Sequence, residues 1–227
     1  MKYYKLLSKE MTSHNNTEWK LNETITVEKE GVEMCTDQVL HCYNHLLLAV
    51  VFNPIHANIQ NPLLFEISVD KIVNTDGLKF ASKSQTLVKE ISLPEISLEQ
   101  RIEFAIRVAK TVYKEEKWNE WADKWLSGED RSEESTTTAA NAAYTASNDA
   151  SAASAASSAS SASSASAAYT AARAANAANA ADAAALAAYT ANAVALAAYY
   201  AADAAADKNE FNRKMIDIIE SIVKVEA

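Results

Sequence analysis

The spacing of apolar and polar residues divides the chain into a strand-rich beginning and a helix-rich remainder. Before residue 95, short apolar runs alternate with turn-forming residues, which is the pattern of β-strands. The predicted strands are 2–7, 24–27, 63–69, 78–81 and 86–92. The run 43–52 has the length of either a short helix or a buried strand, and Asn53–Pro54 is expected to end it. Asp76–Gly77 predicts a turn.

Helical spacing begins after Pro94. Ser97 and Gln100 have the separation of a capping box, and the apolar residues that follow recur at intervals of three and four. They are Leu98, Ile102, Ala105, Ile106, Ala109, Val112 and Tyr113. A second helix is predicted around Trp118, Trp121 and Trp125, ending near Gly128. The segment 208–223 has the pattern of a further amphipathic helix.

Alanine dominates the region between these amphipathic segments. From residue 139 to residue 206, 38 of 68 residues are alanine, and every Gly and Pro of the chain lies earlier. Alanine has the highest helix propensity, so this region is predicted to be helical, with small side chains that allow close helix packing. A break is expected at Ser147–Asn148–Asp149, because these side chains compete for backbone hydrogen bonds. The Ser-rich tract 151–166 is expected to be ordered, with partial disorder as the alternative.

These patterns predict an α+β protein with two domains. Residues 1–95 are expected to form a small domain with a mixed sheet, and residues 96–227 an alanine-rich domain of closely packed helices.

Charge and hydropathy argue against some classes of function. The net charge of −9 argues against non-specific nucleic-acid binding, which requires clustered Lys and Arg, and it favours a basic partner surface. Residues 183–202 form an uncharged run of membrane-spanning length, but alanine is nearly neutral toward hydrocarbon, so no membrane span is predicted. A cytoplasmic location is the expectation, since two cysteines are too few for a disulfide framework.

One group of residues has ligand chemistry. Cys35, His41, Cys42 and His45 are residue types that bind zinc, but they lack paired Cys-x-x-Cys spacing, and adjacent His41 and Cys42 would both have to reach one ion. A Cys–His nucleophile would lack an orienting third residue. The sequence also lacks a glycine-rich phosphate loop and the common hydrolase motifs. We therefore expect no catalysis, no metal and no cofactor.

Aromatic residues of the helical region are the candidates for binding a partner. The three tryptophans can be read as core or as a surface hot spot. Asp130 and Arg131 lie in the charged turn that follows, and Arg131 could pair locally with Glu129 or Asp130 or contact a partner. The full candidate set is Trp118, Trp121, Trp125, Asp130, Arg131, Tyr144, Tyr169 and Tyr189.

Several strings in the chain resemble known families. The segments ISLEQRIEFAIRVAKTVY (96–113) and WNEWADKWLSGEDRS (118–132), followed by Ala–Ala–Tyr repeats, resemble a bacterial and phage family of immunity proteins of the immunity-protein-5-like kind. That likeness covers about 96–214 and implies a protein-neutralising role. The N-terminal part, with MCTDQVLHCYN (34–44), resembles a small domain of unknown function found in phages and bacteria.

The expected function is therefore a non-enzymatic inhibitor that binds and neutralises a protein. The partner would be a toxin, or a component of a bacterial defence system if the gene is viral. Two alternatives stay open: a self-assembling scaffold, which would be a homo-oligomer, and a module that sequesters a small signalling nucleotide.

Overall fold

The computed structural model of the protein describes residues 2–13, 16–152, 156–178, 193 and 196–224. The chain divides into two compact units, residues 1–95 and residues 96–227. The first unit is built on antiparallel sheets and the second is helical, so the protein is α+β.

The first unit contains two sheets and a short ribbon. The four-stranded sheet has the order β1 (Tyr3–Leu7), β6 (Leu63–Val69), β9 (Ser84–Ile91) and β4 (Thr24–Thr26), with neighbouring strands antiparallel. The three-stranded sheet has the order β5 (Leu40–Cys42), β8 (Phe80–Ser82) and β7 (Ile72–Thr75). Strands β2 (Thr12–Ser13) and β3 (Thr17–Glu18) pair with each other. The sequence pattern did not predict β2, β3, β5 or β7, which have two to four residues each.

The two sheets join around an apolar core. Tyr4 and Tyr43 exchange backbone hydrogen bonds of 2.7 and 2.9 Å, which connect β1 to the residue after β5. The core beneath contains Trp19, whose indole nitrogen donates to the hydroxyl of Ser13. The buried members of this core are Leu7, Trp19, Cys42, Phe65, Ile67, Phe80 and Leu87.

The ambiguous run near residue 50 is a helix, and it does not end at Asn53–Pro54 as predicted. Helix α1 spans Leu46–His56 and contains Pro54 in its last turn. The backbone N–H of Ala57 donates to the carbonyl of Asn53, so the helical turn continues past the proline. The side chain of Asn53 then bonds both the N–H and the carbonyl of Ile59. The proline removes one donor, but the surrounding bonds hold the final turn in place.

The second unit consists of helices. They are α2 (Leu98–Val112), α3 (Glu116–Ser127), α4 (Glu133–Ala152), α5 (Ala156–Ala178), α6, described over residues 196–204, and α7 (Lys208–Ile222). Helix α2 contacts α3, α5 and α7, while α4 packs along α5.

The predicted helix starts and stops are present. Ser97 and Gln100 form the reciprocal capping box at the start of α2, with bonds of 2.9 and 3.2 Å. Gly128 ends α3 in the left-handed conformation, with φ of 80°. Asp207 caps α7 by accepting from the N–H groups of Asn209 and Glu210, and these bonds lower the pKa of its carboxyl.

Helix α2 is buried more widely than its predicted stripe. Phe104 and Val108 are fully buried in addition to the predicted Ile102, Ala105, Ile106 and Ala109. Three helices surround α2, so side chains on more than one face enter the interior. The predicted amphipathic stripe therefore contains only some of the residues that this helix buries.

The alanine-rich helices pack through methyl groups. The buried residues of α4 are Thr136, Ala139, Ala140 and Ala143, which repeat at three and four. Helix α5 is buried more broadly, at Ala165, Ala167, Ala168, Ala171, Ala172, Ala174 and Ala175. Side chains of this size allow the backbones to approach closely.

The predicted break at Ser147–Asn148–Asp149 is wrong. These residues lie within α4, which continues to Ala152. The helix-propensity cost of Ser, Asn and Asp is well below 1 kcal/mol per residue, and helical neighbours on both sides outweigh it. The Ser-rich tract is helical at 151–152 and 156–166, as expected, while 153–155 lie outside the described residues. Among the described helices, none is both long enough and apolar enough to cross a membrane.

Candidate protein-interaction surface

The structure separates the predicted partner-binding residues into buried and exposed groups. Trp118, Trp121 and Trp125 are 1%, 7% and 4% exposed, so they form the core of the helical unit. The ring of Trp118 packs against Tyr113 at 5.6 Å and against Trp121 at 5.4 Å. The indole nitrogens of Trp118 and Trp121 are buried without a hydrogen-bond partner. Since the rings have almost no accessible surface, the hot-spot alternative for these three residues is wrong.

Arg131 and Asp130 hold the turn between α3 and α4. The guanidinium of Arg131 lies 4.5 Å above the Trp125 ring, and its Nε donates to the Trp125 carbonyl at 3.0 Å. Its NH1 group donates to Glu99 on α2 at 2.6 Å, a pairing that the sequence did not suggest. Asp130 accepts from the N–H of Ser132 at 2.9 Å, and hydrogen bonds from the side chain and the backbone of Ser132 lower the pKa of its carboxyl. Both residues therefore have structural roles within the unit.

The exposed aromatic residues of this unit lie on the alanine-rich helices. Tyr144 on α4 is 51% exposed and Tyr199 on α6 is 49% exposed. The ring of Tyr144 lies 5.2 Å from that of Tyr169 on α5, and the guanidinium of Arg173 lies 6.0 Å from the Tyr169 ring. Tyr199 contacts Tyr200 edge to face at 5.6 Å. Tyr189 lies outside the described residues.

We define the tyrosine surface as Tyr144, Tyr169 and Arg173. Ala139, Ala140 and Ala143 are buried on α4, and Tyr144 lies at the edge of this buried face, about 40° around the helix from Ala140. On α5, Arg173 is exposed between buried Ala172 and Ala174, and Tyr169 is half-buried. Two stacked phenol rings beside a guanidinium can form aromatic, cation–π and hydrogen-bonding contacts with a protein. The sequence did not show which tyrosines face outward, nor the pairing of Tyr144 with Tyr169 across two helices.

A groove in the same unit lies near the start of α7. Its volume is about 450 Å³, and its lining includes Thr111, Ser164, Asp207, Glu210 and Lys214. Lys214 pairs with Glu210 at 2.7 Å, so its charge is already compensated. Two carboxylates beside one compensated ammonium disfavour an anionic ligand such as a nucleotide.

The structure does not bring Cys35, His41, Cys42 and His45 together as a group that could hold a metal ion. Cys42 is fully buried, and burial raises the pKa of its thiol to about 12. His41, its neighbour in β5, instead accepts a hydrogen bond at Nε2 from the N–H of Cys35. His45 occupies the N-cap position of α1. Adjacent strand residues point to opposite faces, and no three potential ligands converge within the described part of the chain.

Comparison with known proteins supports the N-terminal resemblance alone. Residues 1–99 match a family model described as a domain of unknown function, DUF7666. The match covers the first compact unit and the beginning of α2, which is less than half of the chain. No curated protein and no solved structure matches the chain. The immunity-protein resemblance of residues 96–214 has no matching family model.

Proposed function

We propose that the protein is a non-enzymatic inhibitor, which binds a protein partner through the tyrosine surface of its alanine-rich helices. The observation that carries this proposal is the pairing of exposed Tyr144 with half-buried Tyr169 on helices whose buried faces are lined mainly by alanine. Tyrosine provides a large contact area with few rotatable bonds, and it is among the residues enriched at binding hot spots. The packed alanine layer supplies a rigid support for these rings.

The partner is a toxin domain or a component of a bacterial defence system, encountered in the cytoplasm. The resemblance of residues 96–214 to immunity proteins supports this class of partner. The net charge of −9 supports steering toward a basic partner. Inhibition follows from steric occlusion of the partner's working surface, which requires no catalytic group and no cofactor.

A binding and inhibition experiment tests this function. The tagged full-length protein is compared with its Tyr144→Ser variant in capture from host lysate and in protection of cells against the captured partner. Val88→Ser is the matched control, because Val88 is 41% exposed but lies on β9 in the other unit. A stoichiometric partner that is retained by Val88→Ser, lost by Tyr144→Ser and inhibited by the purified protein supports the proposal.

Two results would contradict it. One is a partner that binds Tyr144→Ser as tightly as it binds the wild-type protein. The other is a partner whose activity is unchanged by a saturating amount of the purified protein. Light scattering on the same samples addresses the scaffold alternative, since assembly through the tyrosine surface would give oligomers that Tyr144→Ser disperses.

A further inference from the structure

An exposed thiol in the first unit lies against a buried ammonium. Nζ of Lys79 is 3.2 Å from Sγ of Cys35, while Lys79 as a residue is 6% exposed and Cys35 is exposed. The two residues are 44 positions apart in sequence, so the fold alone brings them together. The Lys79 nitrogen is therefore within contact distance of the Cys35 sulfur, and the nucleophilic form of a cysteine is its thiolate.

The loop that carries Cys35 is held firmly above Lys79. Nζ of Lys83 donates to three loop carbonyls, those of Lys29, Gly31 and Gln38, at 2.6 to 2.8 Å. The amide of Asn74 donates to the carbonyl of Val32 at 2.8 Å. The N–H of Cys35 itself donates to Nε2 of His41 at 3.1 Å. These bonds fix the position of the thiol relative to the ammonium.

Lys79 is fixed from its own side by the β7–β8 turn. Oδ1 of Asp76 accepts from the N–H groups of Leu78 and Lys79, both at 2.9 Å, and Oγ1 of Thr75 donates to the Lys79 carbonyl. These hydrogen bonds fix the backbone position from which the Lys79 side chain extends. His56 lies near Lys79. Burial lowers the pKa of its imidazole to about 3, and the charges of Lys79 and His41 contribute to this decrease.

The geometry points to Cys35 as an oxidation site at which Lys79 captures the oxidised sulfur, giving a reversible Cys35–Lys79 cross-link. The oxidant is a hydroperoxide. The thiolate attacks the peroxide, the O–O bond breaks, the sulfur loses two electrons, and a sulfenic acid and hydroxide form. The hydroxide takes a proton from the Lys79 ammonium and becomes water.

The second step joins the two side chains. The neutral Lys79 amine attacks the sulfenic sulfur, so that an S–N bond forms and the S–O bond breaks. The leaving hydroxide takes the amine proton and departs as water. The product is a sulfenamide, which a thiol reductant returns to the free cysteine and lysine. Because Lys79 is buried, this capture protects the sulfur from further oxidation to sulfinic acid.

Mass spectrometry of the full-length protein after mild hydrogen peroxide treatment tests this inference. The cross-link lowers the intact mass by two hydrogen atoms, and dithiothreitol reverses the loss. A Cys35–Cys42 disulfide would give the same mass, so the experiment is run in parallel on Cys42→Ser. Digestion with trypsin and Asp-N separates the two cysteines, because Asp37 lies between them, and joins the Cys35 peptide to the Lys79 peptide if the cross-link forms.

Lys79→Arg is the matched variant, since it keeps a cation beside the sulfur but cannot form the S–N bond under these conditions. We expect Cys42→Ser to retain the reversible mass loss. We expect Lys79→Arg to accumulate sulfenic acid that dimedone traps at Cys35. Circular dichroism confirms that both variants are folded, and Lys79→Met replaces Lys79→Arg if the arginine variant is not.

Three outcomes would overturn the inference. The first is a mass loss that disappears in Cys42→Ser. The second is a dimer linked by a Cys35 disulfide with Lys79 unmodified. The third is the same yield of dimedone-trapped Cys35 in the wild-type protein and in the lysine variant.

Discussion

The ring of Tyr144 on α4 lies 5.2 Å from the ring of Tyr169 on α5, tilted by 45°. The same two helices face each other elsewhere through buried alanines. An alanine methyl contributes roughly 0.8 kcal/mol when it is buried, so a seam made of methyl groups specifies helix register weakly. The aromatic pair adds a directional contact at one point along this seam.

We expect a measurable coupling energy between Tyr144 and Tyr169. Aromatic pairs contribute about 0.5–1.5 kcal/mol beyond the area that they bury. A double-mutant cycle with Tyr144→Ala, Tyr169→Ala and the double variant should give a coupling in that range by urea denaturation. A coupling indistinguishable from zero would show that the rings are neighbours without mutual stabilisation.

The alanine seam should tolerate no larger side chain. Ala143 is fully buried on α4, whereas its neighbour Ala142 is exposed. Ala143→Leu should lower the free energy of unfolding by about 1–3 kcal/mol, because the added atoms have no space between α4 and α5. Ala142→Leu is the matched control and should change stability by less than about 0.5 kcal/mol. Equal effects of the two substitutions in thermal or urea denaturation would contradict close packing at Ala143.

The capping box of α2 should contribute to the stability of the helical unit. Ser97→Ala removes the hydroxyl that accepts from the Gln100 N–H, and it should cost about 0.5–2 kcal/mol. Ser92→Ala changes a serine exposed in the preceding loop and serves as the control. Chemical denaturation followed by circular dichroism measures both variants. A Ser97→Ala protein as stable as the control would mean that solvent replaces the cap without loss.

His56 should make stability depend on pH. Burial lowers its pKa from 6.5 to about 3, and its Nδ1 lies 2.7 Å from the Tyr43 hydroxyl. Between these two values the unfolded chain binds a proton that the folded protein does not. Stability is therefore lost as pH falls from about 6.5 toward 3, with a slope of up to about 1.4 kcal/mol per pH unit from this group.

The comparison with His56→Gln isolates this effect from the carboxylates. As pH falls from 7 to 4, the free energy of unfolding should decrease more for the wild-type protein than for the variant. Urea denaturation at several pH values measures this difference. A difference independent of pH would show that folding leaves the pKa of His56 unchanged.

The sequence pattern correctly predicted the features that depend only on residues close together in the chain. The Ser97–Gln100 box, the Gly128 cap and the long strands β6 and β9 were predicted because their determinants lie within a few residues. The three-residue strand β5 could not be found in this way, since its identity depends on pairing with β8 some forty residues later.

Packing between elements far apart in sequence determined the features that the sequence pattern left open or predicted wrongly. The sequence allowed Trp118, Trp121 and Trp125 to be core or surface, and burial beside the neighbouring helices made them core. The sequence also predicted a helix break at Ser147–Asn148–Asp149, but helix α4 continues through these residues. Propensity differences there are a fraction of a kcal/mol per residue, which is less than the packing of a whole helix contributes.

The amino-acid order on its own predicted the α+β class and the helical conformation that the described part of the alanine-rich region adopts. Those properties follow from residue propensity and from the periods of helix and strand. The pairing of Tyr144 with Tyr169, the contact of Arg131 with Glu99 and the approach of Lys79 to Cys35 required the folded chain. Each joins residues far apart in sequence, and their distance is set by how whole elements pack, which no local pattern encodes.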